Sequence, residues 1–205
     1  MIYAFLTGFI LGFSLILAIG AQNSFVLRQG LLGRHVFIVA LFCALSDALL
    51  IIIGVTGISI FLNYLDLVSN WLFGISAIWL SGYGLLRLKD AVNGQSALIA
   101  ENSSKSGLTS TLSFLVVVTF ANPHVYLDTM VLIGTVSQQF SSNHKLAYTL
   151  GASIASFVFF FSLSYGAKLL APIMKRSIAW RILDFSVAIV MFVIAIKLAY
   201  LGNWL

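Results

Sequence analysis

Apolar residues dominate the chain in six blocks of about twenty, at roughly 3–27, 36–62, 71–88, 112–136, 146–170 and 182–201. Each block is close to the ~20 residues that cross a bilayer as a helix. None shows the single polar face of a helix packed in water. The pattern predicts six membrane-spanning helices joined by short polar segments. The longest polar stretch, centred on Asn102-Ser103-Ser104-Lys105-Ser106-Gly107, divides the blocks three and three. One transmembrane domain, 1–205, is therefore expected, with halves at about 1–90 and 108–205 and a linker at about 91–107.

Two blocks are interrupted. In the fourth, Asn122-Pro123 breaks the helix, because proline has no N–H and clashes with the preceding turn. Asn122 can cap the helix that resumes, and Pro123 suits its first position. The new half-helix then begins within the membrane, its positive dipole end facing a cavity. His124 and Asp128, four apart, share a face of it. Asp128 falls roughly 7–9 Å from its start at ~1.5 Å per residue. In the first block, Gly20-Ala21-Gln22-Asn23-Ser24 is polar and flexible for a membrane interior, and a partial unwinding at Gly20 is expected. Asn23-Ser24-Phe25-Val26-Leu27 loosely echoes Asn122-Pro123-His124-Val125-Tyr126-Leu127. Three spans per half would orient the halves oppositely. The expected fold is thus an all-α integral membrane protein of about six helices. It forms two inverted three-helix repeats with interrupted first and fourth helices, the plan of many secondary transporters.

Composition agrees: 60% of residues are hydrophobic and 8% charged, against roughly 25% charged in soluble domains. The net charge of +5 reads as loop cations at an anionic cytoplasmic leaflet rather than a nucleic-acid footprint. Arg28, Arg34, Arg87, Lys89, Lys105, Lys175, Arg176 and Arg181 all follow odd-numbered spans, which places both termini outside. If the interrupted first segment fails to cross, the N-terminus is inside. Ala18-Ile19-Gly20 resembles a signal-peptide cleavage site, but no Lys or Arg precedes Arg28, and the first segment is read as retained. The lone Cys43 excludes an internal disulfide and a CxxC pair and reads as a small buried apolar residue.

The chemistry is concentrated in two acids. Asp47, preceded by Ser46, and Asp128 lie inside apolar blocks, where a carboxylate costs ~2.5–3.5 kcal/mol on insertion scales. The cations Arg87, Lys89, Lys168 and Lys197 sit near span ends, where they can snorkel. A cationic substrate or protons can supply the missing charge. The alternative is that both acids are protonated and hydrogen-bonded to neighbours such as Ser46 or Tyr126. Gln22 and Asn23 can bind a ligand, satisfy opened backbone or glue helices together. His124, with an ordinary pKa of ~6.5, can carry a proton or sit neutral. Tyr126 is read as packing or a hydroxyl donor. Asp66, Asp90, Glu101 and Asp184 are read as solvated charges at loops or helix ends. Gly8 and Gly12 permit close helix contact. No HExxH, GxSxG or P-loop motif is present, and no enzyme is expected.

Ile19-Gly20-Ala21-Gln22-Asn23, Leu45-Ser46-Asp47 and Asn122-Pro123-His124-Val125-Tyr126-Leu127-Asp128 together resemble the LysE-type basic amino-acid exporters, and most nearly their bacterial arginine-exporting branch. The likeness covers nearly the whole chain. Ala21 stands where many members have proline. The resemblance implies a multi-pass exporter of L-arginine or L-lysine in the bacterial inner membrane, with the two aspartates important for transport. Expelling one positive charge against an inside-negative potential costs ~2.3 kcal/mol per 100 mV, so exchange for inward protons is expected. Substrate contact is expected from Asp47, Asp128, Asn23, Gln22, Asn122 and Ser46, and proton coupling from Asp128, Asp47 or His124. Expected partners are arginine or lysine, protons and the lipid bilayer, with room for a homo-oligomer; no cofactor, bound metal or nucleic acid is expected. The competing readings are a divalent-metal exporter, using the acids and His124, and a structural membrane protein that transports nothing.

Overall fold

A computed structural model describes residues 1–17, 20–93, 107–174 and 176–204, with side chains left out at 58–70, 72, 123 and 171. Every regular element among them is a helix. They are α1 (Ile2–Ile16), α2 (Ala21–Leu32), α3 (Val36–Asn93), α4 (Leu108–Phe120) and α5 (Pro123–Tyr126). After α5 the chain passes through a π-helical turn (Leu127–Leu132) into α6 (Ile133–Ser137), then α7 (Ser142–Met174) and α8 (Ser177–Leu201). Val36–Gly57, Ser142–Leu170 and Ser177–Leu201 are each long and apolar enough to cross a membrane. Two bent pairs bring the number to five when each counts as one span: α1 with α2, at 81°, and α4 with the helix His124–Ser137, at 63°. The chain is a multi-pass membrane protein.

Helical backbone runs throughout α3, yet Asp47 and Leu80 line one cavity. They are roughly thirty positions apart, ~50 Å on a straight helix, so the chain turns back between them. Its first limb supplies Val39, Ala40, Cys43 and Ala44 to one apolar cluster, with Phe160 and Leu115. Its second limb, 71–93, supplies Ala77 and Leu80 to another, with Val187, Met191 and Leu198. Cys43 is fully buried in the first.

The helix faces are those of a protein in lipid. On α8, Trp180, Asp184, Val187, Met191 and Leu198 are buried. Ile182, Phe185, Ile189, Val193, Ile196 and Tyr200, at helical spacing on the opposite side, are exposed. Both faces are mostly apolar, so hydropathy alone does not tell them apart.

The most extensive interfaces are α3 on α8 and α1 on α7. The second depends on glycine: a Cβ on Gly8 would strike the Tyr148 carbonyl, and one on Gly12 would lie 3.2 Å from Ala152 Cα. Gly30 does the same for α2 against Ser164 and Ala167 of α7. α2 stops at Gly33, whose φ of 66° is left-handed and whose N–H bonds back to Gly30.

One expectation fails here. Asp184 is not solvated but 3% exposed, and Arg87 contacts it at 3.4 Å and Asp90 at 3.3 Å. α8 begins at Ser177, so Asp184 lies two turns inside the helix on its buried face. The side chain of Asp66, and Glu101 altogether, lie outside the described residues, as does most of the expected linker.

Candidate functional site

Both interruptions open the helix, and both are stitched by a side chain from beyond the break. Gly20 caps α2 in an extended conformation, so the last carbonyls of α1 lose their normal donors. Asn23 Nδ2 donates to one of them, Ile16 O, at 2.7 Å. At the second break, the His124 N–H, which a continuous helix would send to Phe120 O, donates instead to Asn122 Oδ1 at 3.1 Å. The Tyr126 hydroxyl then donates to Phe120 O at 2.7 Å. Tyr126 is thus a hydroxyl donor to backbone, not to either acid.

Just past the second break the helix widens into the π-helical turn that carries Asp128. His124 Nε2 lies 3.3 Å from Asp128 Oδ2, while its Nδ1 has no hydrogen-bond partner. Gly54 of α3 allows the close approach, since a Cβ there would sit 2.5 Å from Met130 Cα. Asp47 is two turns before Gly54 and shares its face. The Asp47 side chain is 4% exposed, and its Oδ2 accepts a hydrogen bond from Ser156 of α7 at 3.1 Å. Gln22 reaches both Asp47 and Cys43, yet its buried Nε2 makes no hydrogen bond of good geometry.

These parts meet in one cavity. Gly20, Gln22, Asn23, Asp47, Asn122, His124 and Asp128 all line it, and Leu80, Phe160 and Met191 close its apolar side. Its volume, about 70 Å³, exceeds the ~10–15 Å³ that admits a water. Ser46 is buried but does not line it: adjacent helix positions point ~100° apart, so Ser46 turns away when Asp47 turns in. The hydroxyl that serves Asp47 is Ser156, from a run of small residues with no signal beyond packing.

Lys197, expected to snorkel at a helix end, is exposed one turn beyond Ile194 of the cavity wall. Its charge reaches His124 and Asp128. Among the described residues, no three of His, Cys, Asp and Glu gather as a metal site.

Residues 13–202 match the family described as LysE type translocator. The chain belongs to that family. It is 38% identical over 206 residues to the arginine exporter protein ArgO of Salmonella enteritidis, covering 98% of this chain and 96% of that protein. The arginine exporter protein ArgO of Salmonella typhimurium is 37% identical with the same coverage. YggA of Aeromonas salmonicida, whose name gives an amino-acid transporter without a substrate, is 38% identical over 95% of this chain and 94% of its own length. No solved structure matches. Asp47 and Asp128, from two separate stretches of the matched region, share the cavity.

Proposed function

We propose that this LysE-family chain exports basic L-amino acids, arginine or lysine, across the bacterial inner membrane in exchange for protons. One observation carries the reading. Two acids from different helices, Asp47 and Asp128, open onto one cavity where two broken helices meet. A guanidinium or ammonium placed between them pairs with both through charge-assisted hydrogen bonds, and a proton on one of the acids brings the charges into balance. The cavity also offers the helix start at Asn122 and the amides of Gln22 and Asn23 to a substrate carboxylate. The names of the curated relatives point the same way.

The bent pairs count as one span each and 71–93 as another, giving six, in two oppositely oriented halves that form a single transport domain. The cavity of about 70 Å³ is too small for arginine's twelve heavy atoms, so transport requires the helices to part. Protons entering from outside compete with the substrate for Asp47 and Asp128, with His124 as the relay at Asp128. Protonation releases the passenger and offsets the ~2.3 kcal/mol per 100 mV that its charge costs.

Proteoliposomes loaded with labelled arginine, lysine, a neutral amino acid or a divalent metal test this directly. Efflux of arginine or lysine, accelerated by an inward proton gradient, is expected. Efflux of metal but not of either amino acid would overturn the reading.

A further inference from the structure

A second cavity, about 300 Å³ in volume, lies farther along α2, at the end of the molecule where Arg28 and Arg87 gather. Arg28, Gln29, Tyr83, Arg87, Asp90 and Thr111 contribute to its wall. It is separate from the site described above, though the same helix builds both. Asn23 lines the smaller cavity, while Ser24 next to it and Arg28, ~7 Å farther along the axis, line the larger.

The charges around it are arranged to hold both ends of a zwitterion. Arg87 is held by two carboxylates, Asp90 at 3.3 Å and Asp184 at 3.4 Å, which leaves one negative charge in surplus. Arg28, on the same cavity wall, restores the balance, its guanidinium over the Trp180 ring 5.6 Å from the centroid. The five N–H donors of a guanidinium can serve an added acceptor beside those it already holds. Gln29 is 6% exposed, and its Oε1 has no hydrogen-bond donor among the described residues. An acceptor buried that way is unfavourable until a donor arrives. Phe25 and Phe114, with ring centroids 4.6 Å apart, give an apolar wall.

We propose that this cavity is a second binding site, for the α-amino-acid head group. The carboxylate pairs with Arg28, the ammonium donates to Gln29 Oε1 and Asp90, and the side chain lies towards the phenylalanines. This builds on the export reading: this site, outer only in lying nearer the cytoplasmic end of the molecule, takes the head group common to amino acids, and the inner acids then select a cationic tail. At about 300 Å³ the outer site has room for a whole amino acid, which the inner cavity of about 70 Å³ does not.

Equilibrium binding of labelled arginine to the purified full chain in detergent tests the proposal. Two arginines per chain are expected. Asp47→Asn with Asp128→Asn should leave one, displaced by citrulline but not by agmatine, which is arginine without its carboxylate. Arg28→Gln should weaken that outer site at least tenfold and leave the inner one, which agmatine displaces. Gln29→Leu, which removes the unpaired acceptor, should weaken the outer site while folding at least as well, and so guards against a misfolded Arg28 variant. A single arginine per wild-type chain, or a second one indifferent to both outer substitutions or displaced by agmatine, overturns the proposal. So does an Arg28→Gln variant that keeps two arginines but loses binding to phosphatidylglycerol vesicles, which would make the cavity a lipid-headgroup site. Loss of only the inner site's role, with the Asp47 and Asp128 variants still transporting, would instead sink the export mechanism.

Discussion

The two broken helices do the same job with different chemistry. In the first, a glycine cap turns the chain by 81°, and an asparagine amide reaches back to a stranded carbonyl. In the second, an Asn-Pro pair turns it by 63°, and a tyrosine hydroxyl makes the equivalent bond. The reach is similar, seven residues in one and six in the other. The helices that resume beyond the two breaks differ. The first continues with the neutral Gln22 and Asn23, whereas the second continues with His124 and Asp128 in a widened turn. One half of the cavity therefore offers amide donors and acceptors, and the other offers a titratable pair. Asp47 of α3 adds the second charge. A polar group of either kind keeps a break open, but only the charged half can form an ion pair with a cation.

The largest effects should separate these halves. Asp128→Asn and Asp47→Asn should each reduce arginine efflux from proteoliposomes by at least ~100-fold, because a charge pair at ~4 Å contributes up to about 4 kcal/mol at an effective dielectric near 20. Folded yield by size exclusion should be unchanged. Near-normal efflux in both would leave the charged half without its role.

Closing the second break comes next. Pro123→Ala restores a backbone N–H and lowers by ~3 kcal/mol the cost of running one helix straight through the break. Efflux should fall at least tenfold while thermal stability in detergent holds or rises. A variant that loses stability and transport together would mean that the bend is needed merely to pack.

How far the site was legible depended on whether a residue contradicted its surroundings. Asp47, Asp128 and Asn122-Pro123 stand out because acid and proline are expensive in an apolar helix, and the cavity contains both acids. Gln22, Asn23 and Gly20 stand out as polar or flexible where lipid lies outside. Ser156 and Thr129 do not: a lone hydroxyl in a helix normally bonds its own backbone, as Thr129 does to Val125 O at 2.7 Å. That Ser156 instead serves Asp47 depends on the packing of α7 against α3. Asp184 misled because its partner Arg87 lies 97 positions away. Ser46 misled because adjacency in sequence is not a shared helix face. The π-helical turn at Leu127–Leu132 has no composition signal, since the same residues suit an α-helix.

Glycine at the contact between α3 and the charged half gives a middle-sized test. Gly54→Ala would place a Cβ 2.5 Å from Met130 Cα and 2.7 Å from its carbonyl oxygen, both backbone atoms with little freedom to move. A loss of ~1–3 kcal/mol is expected from such overpacking, with transport falling because Asp128 sits two residues from Met130. Gly57→Ala, with nothing within 4 Å among the described residues, is the matched control and should leave melting temperature and efflux alone.

The smallest effect bears most closely on the two stitches. Tyr126→Phe strands the Phe120 carbonyl, and Asn23→Leu strands that of Ile16. Each bond is worth ~0.6 kcal/mol on average in a membrane and up to about 1.7, so each variant should melt a few degrees lower at ~2–4 °C per kcal/mol. If the stitches are equivalent, the two shifts agree within that range. Transport should then divide them: Tyr126 is absent from the cavity wall and Asn23 is part of it. Tyr126→Phe should keep the wild-type KM for arginine, while Asn23→Leu should raise it several-fold. An equal rise in KM for both would mean that the stitch itself, through the angle of the helix behind it, sets affinity, and that the amide of Asn23 contributes nothing as a ligand.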